Sequence, residues 1–295
     1  MMSEAPSGAT TSSFAPLRQK VFAVLWAATI IGNIGSFMRD VASAWLVTDL
    51  SGAPAAVALV QAAATLPIFL LAIPAGVLSD ILDRRKFLIA IQVLLGCVSL
   101  CLMALASLGQ LSVPALVGLT FLGGVGAALM APTWQAIVPE LVGKADLKSA
   151  VALNSLGINI SRAIGPALGG LILAALGGGF TYGADVLSYV IVIGALVWWR
   201  RPQGADDALS ERFAGAFRAG LRYAKASREL HVVLLRAAIF FACASAVWAL
   251  LPLVARNLLG GGAGFYGILL GAVGAGAIGG AVLLPDGKQI PYTQL

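Results

Sequence analysis

Residues 76–86 read Gly76-Val77-Leu78-Ser79-Asp80-Ile81-Leu82-Asp83-Arg84-Arg85-Lys86, a knot of five charges between two long apolar runs. The runs on either side, 54–79 and 87–108, are each long enough to cross a bilayer core, which takes about 20 mostly apolar residues in a helix. Hydrocarbon offers no partner to backbone N–H and C=O groups, so such runs are expected as helices. The short charged stretch is then a connection held at one membrane face.

Working outward, the same pattern recurs at 21–47, 113–138, 149–175, 180–199, 230–257 and 264–284, making eight expected spans. Of the 295 residues, 59% are apolar and 11% charged, and mean hydropathy is +0.93. One water-surrounded core cannot bury that much apolar surface, so the excess faces lipid. The expected fold class is an all-α membrane protein.

The charges are sorted by connection. The N-terminal tail and the connections 80–86, 139–148 and 200–229 hold Arg18, Lys20, Arg84, Arg85, Lys86, Lys144, Lys148, Arg200, Arg201, Arg212, Arg218, Arg222, Lys225 and Arg228. The alternate connections near 48–53, 109–112, 176–179 and 258–263 hold no Lys or Arg. Basic loops are retained in the cytoplasm, so the N-terminus, the 80–86 knot and the 200–229 stretch are expected on that side of a plasma membrane. The net charge of +6 is spread along these loops and forms no single patch, which speaks against nucleic acid.

Residues 1–20, rich in Ser, Thr, Ala and Pro, read as a disordered cytoplasmic tail with no cleavage pattern. Residues 21–199 form a six-span unit, 200–229 a cytoplasmic linker, 230–284 two further spans and 285–295 a short polar tail. Within the linker, Phe213, Phe217 and Leu221 recur every four residues beside Arg218, Arg222 and Lys225, as in a basic amphipathic helix on the membrane surface. It is read either as a lipid-facing linker or as a partner-binding helix.

Cys97, Cys101 and Cys243 fall in apolar runs and read as small buried residues. His231 is the sole histidine, which excludes a multi-histidine metal site, and no metal is expected. Neither a phosphate-binding loop nor a catalytic signature occurs. Direct use of ATP and enzymatic activity are therefore not expected.

Charges at membrane depth are costly and mark sites by default. In the first span, Asn33, Ser36, Asp40 and Ser43 are spaced to lie on one stripe, with Arg39 adjoining. Arg39 and Asp40 either face a watery cavity or pair with each other or with head groups at the span's end. The fifth span carries Ser155, Asn159 and Arg162 at steps of four and three. Arg162 needs an anion, and Asp40, Asp185 of the sixth span, or a negatively charged substrate would each serve.

Small residues at four-residue steps, Gly123–Ala127–Ala131 and Gly267–Gly271–Ala275–Gly279, read as helix-packing faces. Pro67, Pro74, Pro132 and Pro252 are expected to bend their helices.

The 76–86 knot, placed between the second and third spans, resembles the signature loop of major facilitator superfamily transporters. Asp83 stands where a second glycine is usual, and this Asp-x-x-Asp-Arg-Arg form resembles the enterobactin exporter-like efflux branch. Asn33-Ile34-Gly35-Ser36-Phe37-Met38-Arg39-Asp40 is similar to that branch too. Gly165-Pro166-Ala167-Leu168-Gly169-Gly170 resembles the family's antiporter motif, with Ser161 where an upstream glycine is missing.

The resemblance implies a helical bundle of two six-helix halves around a central cavity. A complete first half is followed here by two helices of the second, so the chain is expected to be a truncated product. In the family, Gly76 would let helices of the two halves approach, while Asp80 and Arg84, with Asp83 and Arg85 beside them, would form a cytoplasmic charge lock. The implied activity is export of a small organic molecule, siderophore- or drug-like, by alternating access. A proton gradient would supply the energy and no cofactor is needed. Asn33, Arg39, Asp40, Asn159, Arg162 and Asp185 are the expected substrate and proton-coupling residues. The competing expectation is a non-transporting membrane scaffold that requires another chain.

Overall fold

The computed structural model describes residues 13–200 and 247–283, together with 227, 232, 235, 236, 239 and 240. The tail before residue 13, the 213–221 linker pattern, His231, Cys243 and the 285–295 tail lie outside the described residues.

Six long helices come first: α1 Lys20–Leu50, α2 Pro54–Ile81, α3 Arg84–Ser107, α4 Val113–Leu141, α5 Leu147–Leu176 and α6 Gly178–Trp198. All six are long and apolar enough to cross a membrane. They follow the apolar runs closely and overshoot several of them by a turn, because helical hydrogen bonding continues into the polar interface. Two further helices are described, α7 Val247–Leu258 and α8 Ala263–Leu283. Residues Val254–Leu258 of α7 wind as a π-helix just after Pro252, where proline removes a backbone donor from the ladder.

Local chemistry sets the connections. Asp83 caps α3 by accepting a hydrogen bond from the Lys86 N–H at 2.9 Å, so the second acid of the knot starts a helix. At the opposite membrane face Gly177 alone separates α5 from α6, at φ +85, a conformation that side-chain-bearing residues rarely adopt. Gly109 and Gly260 take similar angles in the α3–α4 and α7–α8 turns. The bundle thus has a glycine end, with tight turns, and an arginine end, which carries the 76–86 knot.

Helix α1 lies between α5 and α6, α3 packs on α6 and α4, α2 on α4, and α8 on α5. One apolar cluster, containing Phe22, Leu25, Leu88, Ile137, Leu153 and Leu196, fills the arginine end and draws only on the first six helices and their flanks. A second fills the glycine end, where Val41, Trp45, Val57 and Leu102 pack with Leu253, Ala255, Ala263 and Tyr266 of α7 and α8. Leu59, Phe69, Leu122, Phe180 and Leu187 point outward from the bundle, which is the apolar coat that lipid solvates.

Cys97 and Cys101 are exposed on that coat, which corrects the expectation of burial. Helix α3 turns Ile91, Leu95, Val98 and Leu102 inward, and the two cysteines fall on the outward face. Apolar character in a span means contact with lipid as readily as contact with protein.

The small-residue faces are also shifted. Gly124, not the Gly123–Ala127–Ala131 stripe, makes the close approach of α4 to α2, since an added Cβ there would sit 2.6 Å from the Ala64 carbonyl. On α8, Gly267, Gly271 and Gly274 press on α5, whereas a Cβ at Gly279 would meet open space. The contact follows the crossing of two tilted helices and leaves a strict four-residue row after one step.

Candidate functional site: a buried charge cluster beside a cavity

The stripe expected on α1 divides between two faces. Ser36, Arg39 and Ser43 turn toward α6: Ser36 Oγ lies 3.1 Å from Tyr189 Oη, and Ser43 Oγ 3.1 Å from Tyr182 Oη. Asp40 turns the other way into a cavity, and its side chain is 56% exposed. Asn33 is half-buried. A step of three or four residues keeps side chains roughly aligned on a helix, but the contacts with α5 and α6 decide which face each belongs to.

Arg39 is the hub. It donates to Tyr189 Oη at 2.7 Å and to Asp185 Oδ2 at 3.5 Å from one nitrogen, and to Asp40 Oδ1 at 3.3 Å from another. Asp185 is fully buried, where a lone carboxylate would be severely penalised. Besides Arg39, it accepts hydrogen bonds from Ser99 of α3 at 2.5 Å and from Ser188 at 3.4 Å. Gly35 makes this approach of α1 to α6 possible, because a Cβ there would clash with Ser188 and Asp185. Across the bundle, Gly123 borders the Arg39 guanidinium, which lies at ordinary contact distance, 3.8 Å, from where a Cβ would stand. The cluster thus joins α1, α3 and α6 under α4.

Arg162 stands apart. Of the partners open to it, Asp185 is taken by Arg39, and Arg162 makes no ion pair with Asp40 or any other described residue. It lines the same cavity as Asp40, a space of about 360 Å³ between α1, α2, α5, α7 and α8. Phe37, Gln61, Pro166, Trp248, Tyr266 and Leu270 complete much of its wall. Asn159, one turn earlier on α5, is half-buried and outside this lining.

Gly165, Pro166, Gly169 and Gly170 make α5 the joint between α1 and α8. A Cβ on Gly165 would meet Phe37 at 2.6 Å, one on Gly169 the Met38 Cα at 2.7 Å, and one on Gly170 the Gly267 Cα at 2.7 Å. Three of the four motif residues therefore serve backbone contact on two faces of a single helix, while Pro166 borders the cavity and its carbonyl faces Gly267.

At the arginine end, Arg84 donates to Glu140 Oε1 at 2.5 Å and to the Ala136 carbonyl at 3.3 Å, with Asp80 at 4.0 Å. Arg85 donates to the carbonyls of Leu196 and Val197, each at 2.8 Å, satisfying and charge-matching the C-terminus of α6. Each of these bonds stays within the first six helices. Gly76 has no neighbour within 4 Å of an added Cβ.

At the glycine end the two parts of the chain are tied. Arg256 of α7 donates to Asp49 at 2.6 Å and to Thr48 Oγ1 at 3.0 Å, both near the end of α1. Its guanidinium lies 5.9 Å from the Trp45 ring centre, and Trp45 packs 6.0 Å from Tyr266 of α8. Sequence reading missed Arg256, along with Ser99, Tyr189, Gln61 and Trp248. Polar Ser99 and Tyr189 inside apolar runs were available signals, Tyr189 one turn after Asp185 and so on its face; nothing local marked Trp248.

A bundle of apolar helices with buried ion pairs and a cavity between them fits a membrane transporter. The chain belongs to the family described as transmembrane secretion effector, of the major facilitator type, whose pattern it matches over residues 11–291. It is 25% identical to the staphyloferrin A transporter of Staphylococcus aureus (strain NCTC 8325 / PS 47), across 88% of this chain and 65% of that one. It is 32% identical to the enterobactin exporter EntS of Shigella boydii serotype 18 (strain CDC 3083-94 / BS512), across 72% of this chain and 50% of the exporter. In fold it resembles the crystal structure of a bacterial homologue of the human lysosomal transporter Spinster, with a TM-score of 0.70 at 16% identity over 91% of this chain and 62% of that one. The chain therefore spans between half and two thirds of the length of these relatives.

Proposed function

We propose that this protein exports a small organic molecule across a bacterial plasma membrane by alternating access, with proton entry as the driving force. The observation that carries the reading is the cavity holding Asp40 and Arg162 at the joint between the first six helices and α7–α8. A cavity at such a joint is exposed to one side or the other as the parts rock, and the small-residue contacts between α5 and α8 suit that motion. The names of the relatives, one a staphyloferrin A transporter and one an enterobactin exporter, support siderophore-like cargo.

In this reading the basic connections are cytoplasmic and residues 200–229 link the two halves. The latch of Arg256 on Asp49 then closes the outer face, and the cavity belongs to an inward-directed state. Asp185 and Asp40 share one arginine, so protonation of either carboxylate changes which one Arg39 holds. That exchange links proton occupancy to the wall of the cavity.

The test uses everted membrane vesicles containing the protein, energised to be acidic inside and followed with acridine orange. Adding staphyloferrin A or enterobactin to wild-type vesicles is expected to dissipate the pH gradient, and Asp185→Asn and Asp40→Asn vesicles are expected to show no response. A full response in both variants would refute proton coupling through this cluster.

A further inference from the structure

Among the charged groups on the cavity wall, the demand for a counter-charge is unequal. Asp40 already has the Arg39 guanidinium at 3.3 Å. Asp185 cannot reach the cavity, being fully buried beneath Arg39, Ser99 and Ser188. Arg162 has no ion-pair partner among the described residues, although a guanidinium inside a span calls for one.

Its position is also fixed. The preceding Ser161 donates to the Ile30 and Gly157 carbonyls at 3.2 and 2.8 Å. On the other face, a Cβ on Gly274 would stand 2.8 Å from the Arg162 carbonyl. Its backbone is thereby held between α1 and α8, and its side chain lines the cavity. Around it, Phe37, Trp248 and Tyr266 offer aromatic surface.

We propose, building on the export reading above, that the cavity selects an organic anion: its carboxylate binds the Arg162 guanidinium and its apolar body lies against Phe37, Trp248 and Tyr266. A guanidinium matches a carboxylate in a two-pronged geometry that an ammonium or hydroxyl cannot use. The Arg39 guanidinium opposite is already shared by Asp40 and Asp185 and presents no spare positive charge, which leaves Arg162 as the anion's cationic contact. The volume of about 360 Å³ is near the lower end for small-molecule pockets, roughly 300–1,000 Å³, and suits a compact body.

The experiment measures binding to the purified protein in lipid nanodiscs, with empty discs subtracted. Three matched probes differ only in the head group: 3-(2-naphthyl)propionate, 3-(2-naphthyl)propan-1-ol and 3-(2-naphthyl)propan-1-amine. The acid is expected to bind at least about tenfold tighter than the alcohol, with the amine weakest, as one charge-assisted hydrogen-bonded contact provides. Arg162→Gln is expected to remove that preference while leaving the alcohol within about twofold, and Arg162→Lys to retain part of it.

Equal binding of all three probes, tightest binding of the amine, no binding of any, or an unchanged acid preference in Arg162→Gln would overturn the assignment. If Arg162→Gln loses every probe, Arg162→Lys decides: kept preference supports the site and lost preference rejects it. Counterflow of the acid in proteoliposomes separates the two readings. An acid bound with this selectivity but never carried leaves the anion site standing and removes export, whereas carriage independent of residue 162 removes the site alone.

Discussion

Arg39 and Arg162 both lie well inside their spans, and they are held in opposite ways. Arg39 on α1 is buried among Asp185, Asp40 and Tyr189, with every bond reaching a neighbouring residue of the first six helices. Arg162 on α5 opens to the cavity with no ion pair among the described residues. The contrast teaches that membrane depth alone does not assign a role to a charge. A buried charge held by several partners is expensive to strip of one, whereas an unpaired charge on a cavity wall is available to something that comes and goes.

The sharpest way to break the comparison is to remove each guanidinium in turn. Arg39→Met strands the Asp185 carboxylate in a dry interior and should destabilise the protein by about 3–5 kcal/mol. Arg162→Met should change stability by no more than about 0.5 kcal/mol. Thermal unfolding in detergent micelles reads both, and equal losses would erase the distinction. A middle-sized effect is expected from Gly274→Leu, whose side chain would displace Ala163 and the Arg162 carbonyl. Overpacking of this kind costs about 1–3 kcal/mol. It should weaken ligand binding at Arg162 while leaving Arg39 cross-bonded to α6. A smaller loss than that of Gly274→Leu is expected from Tyr189→Phe, which removes one acceptor from Arg39 but spares both carboxylates and should cost about 1 kcal/mol. A loss from Tyr189→Phe as large as from Arg39→Met would show that the phenol, not the ion pair, holds the cluster.

The two ends of the bundle sharpen the same lesson. Arg84 and Arg85 lie in the knot that identifies the family, yet their bonds stay among α2, α3, α4 and α6. Arg256 lies in no motif, yet it ties α7 to α1. Motif residues were legible because short charged loops and Gly-Pro steps stand out against apolar runs. Arg256 was not, because its weight comes from Asp49, Thr48 and Trp45, more than 200 positions earlier in the chain.

Much of the site was legible residue by residue, and little of it pair by pair. Arg39, Asp40, Arg162 and Asp185 were visible because ionisable groups are rare in hydrocarbon. Ser99 and Tyr189 passed as ordinary members of spans, since a hydroxyl inside a helix usually bonds its own backbone, as Thr29 and Thr133 do here. Cys97 and Cys101 were misplaced because hydropathy cannot tell a lipid-facing wall from a protein-facing one.

By itself the sequence determined six apolar helices long enough to cross a membrane, which connections carry its positive charge, and which ionisable groups lie within the apolar runs. Those follow from the cost of leaving water, a property of each segment alone. Tertiary structure decided that Asp185 belongs to Arg39, that Arg162 is left to a cavity, and that α5 glycines join α1 to α8. Charges and backbones choose their partners by distance across helices, and distance between remote segments is set only when the bundle packs.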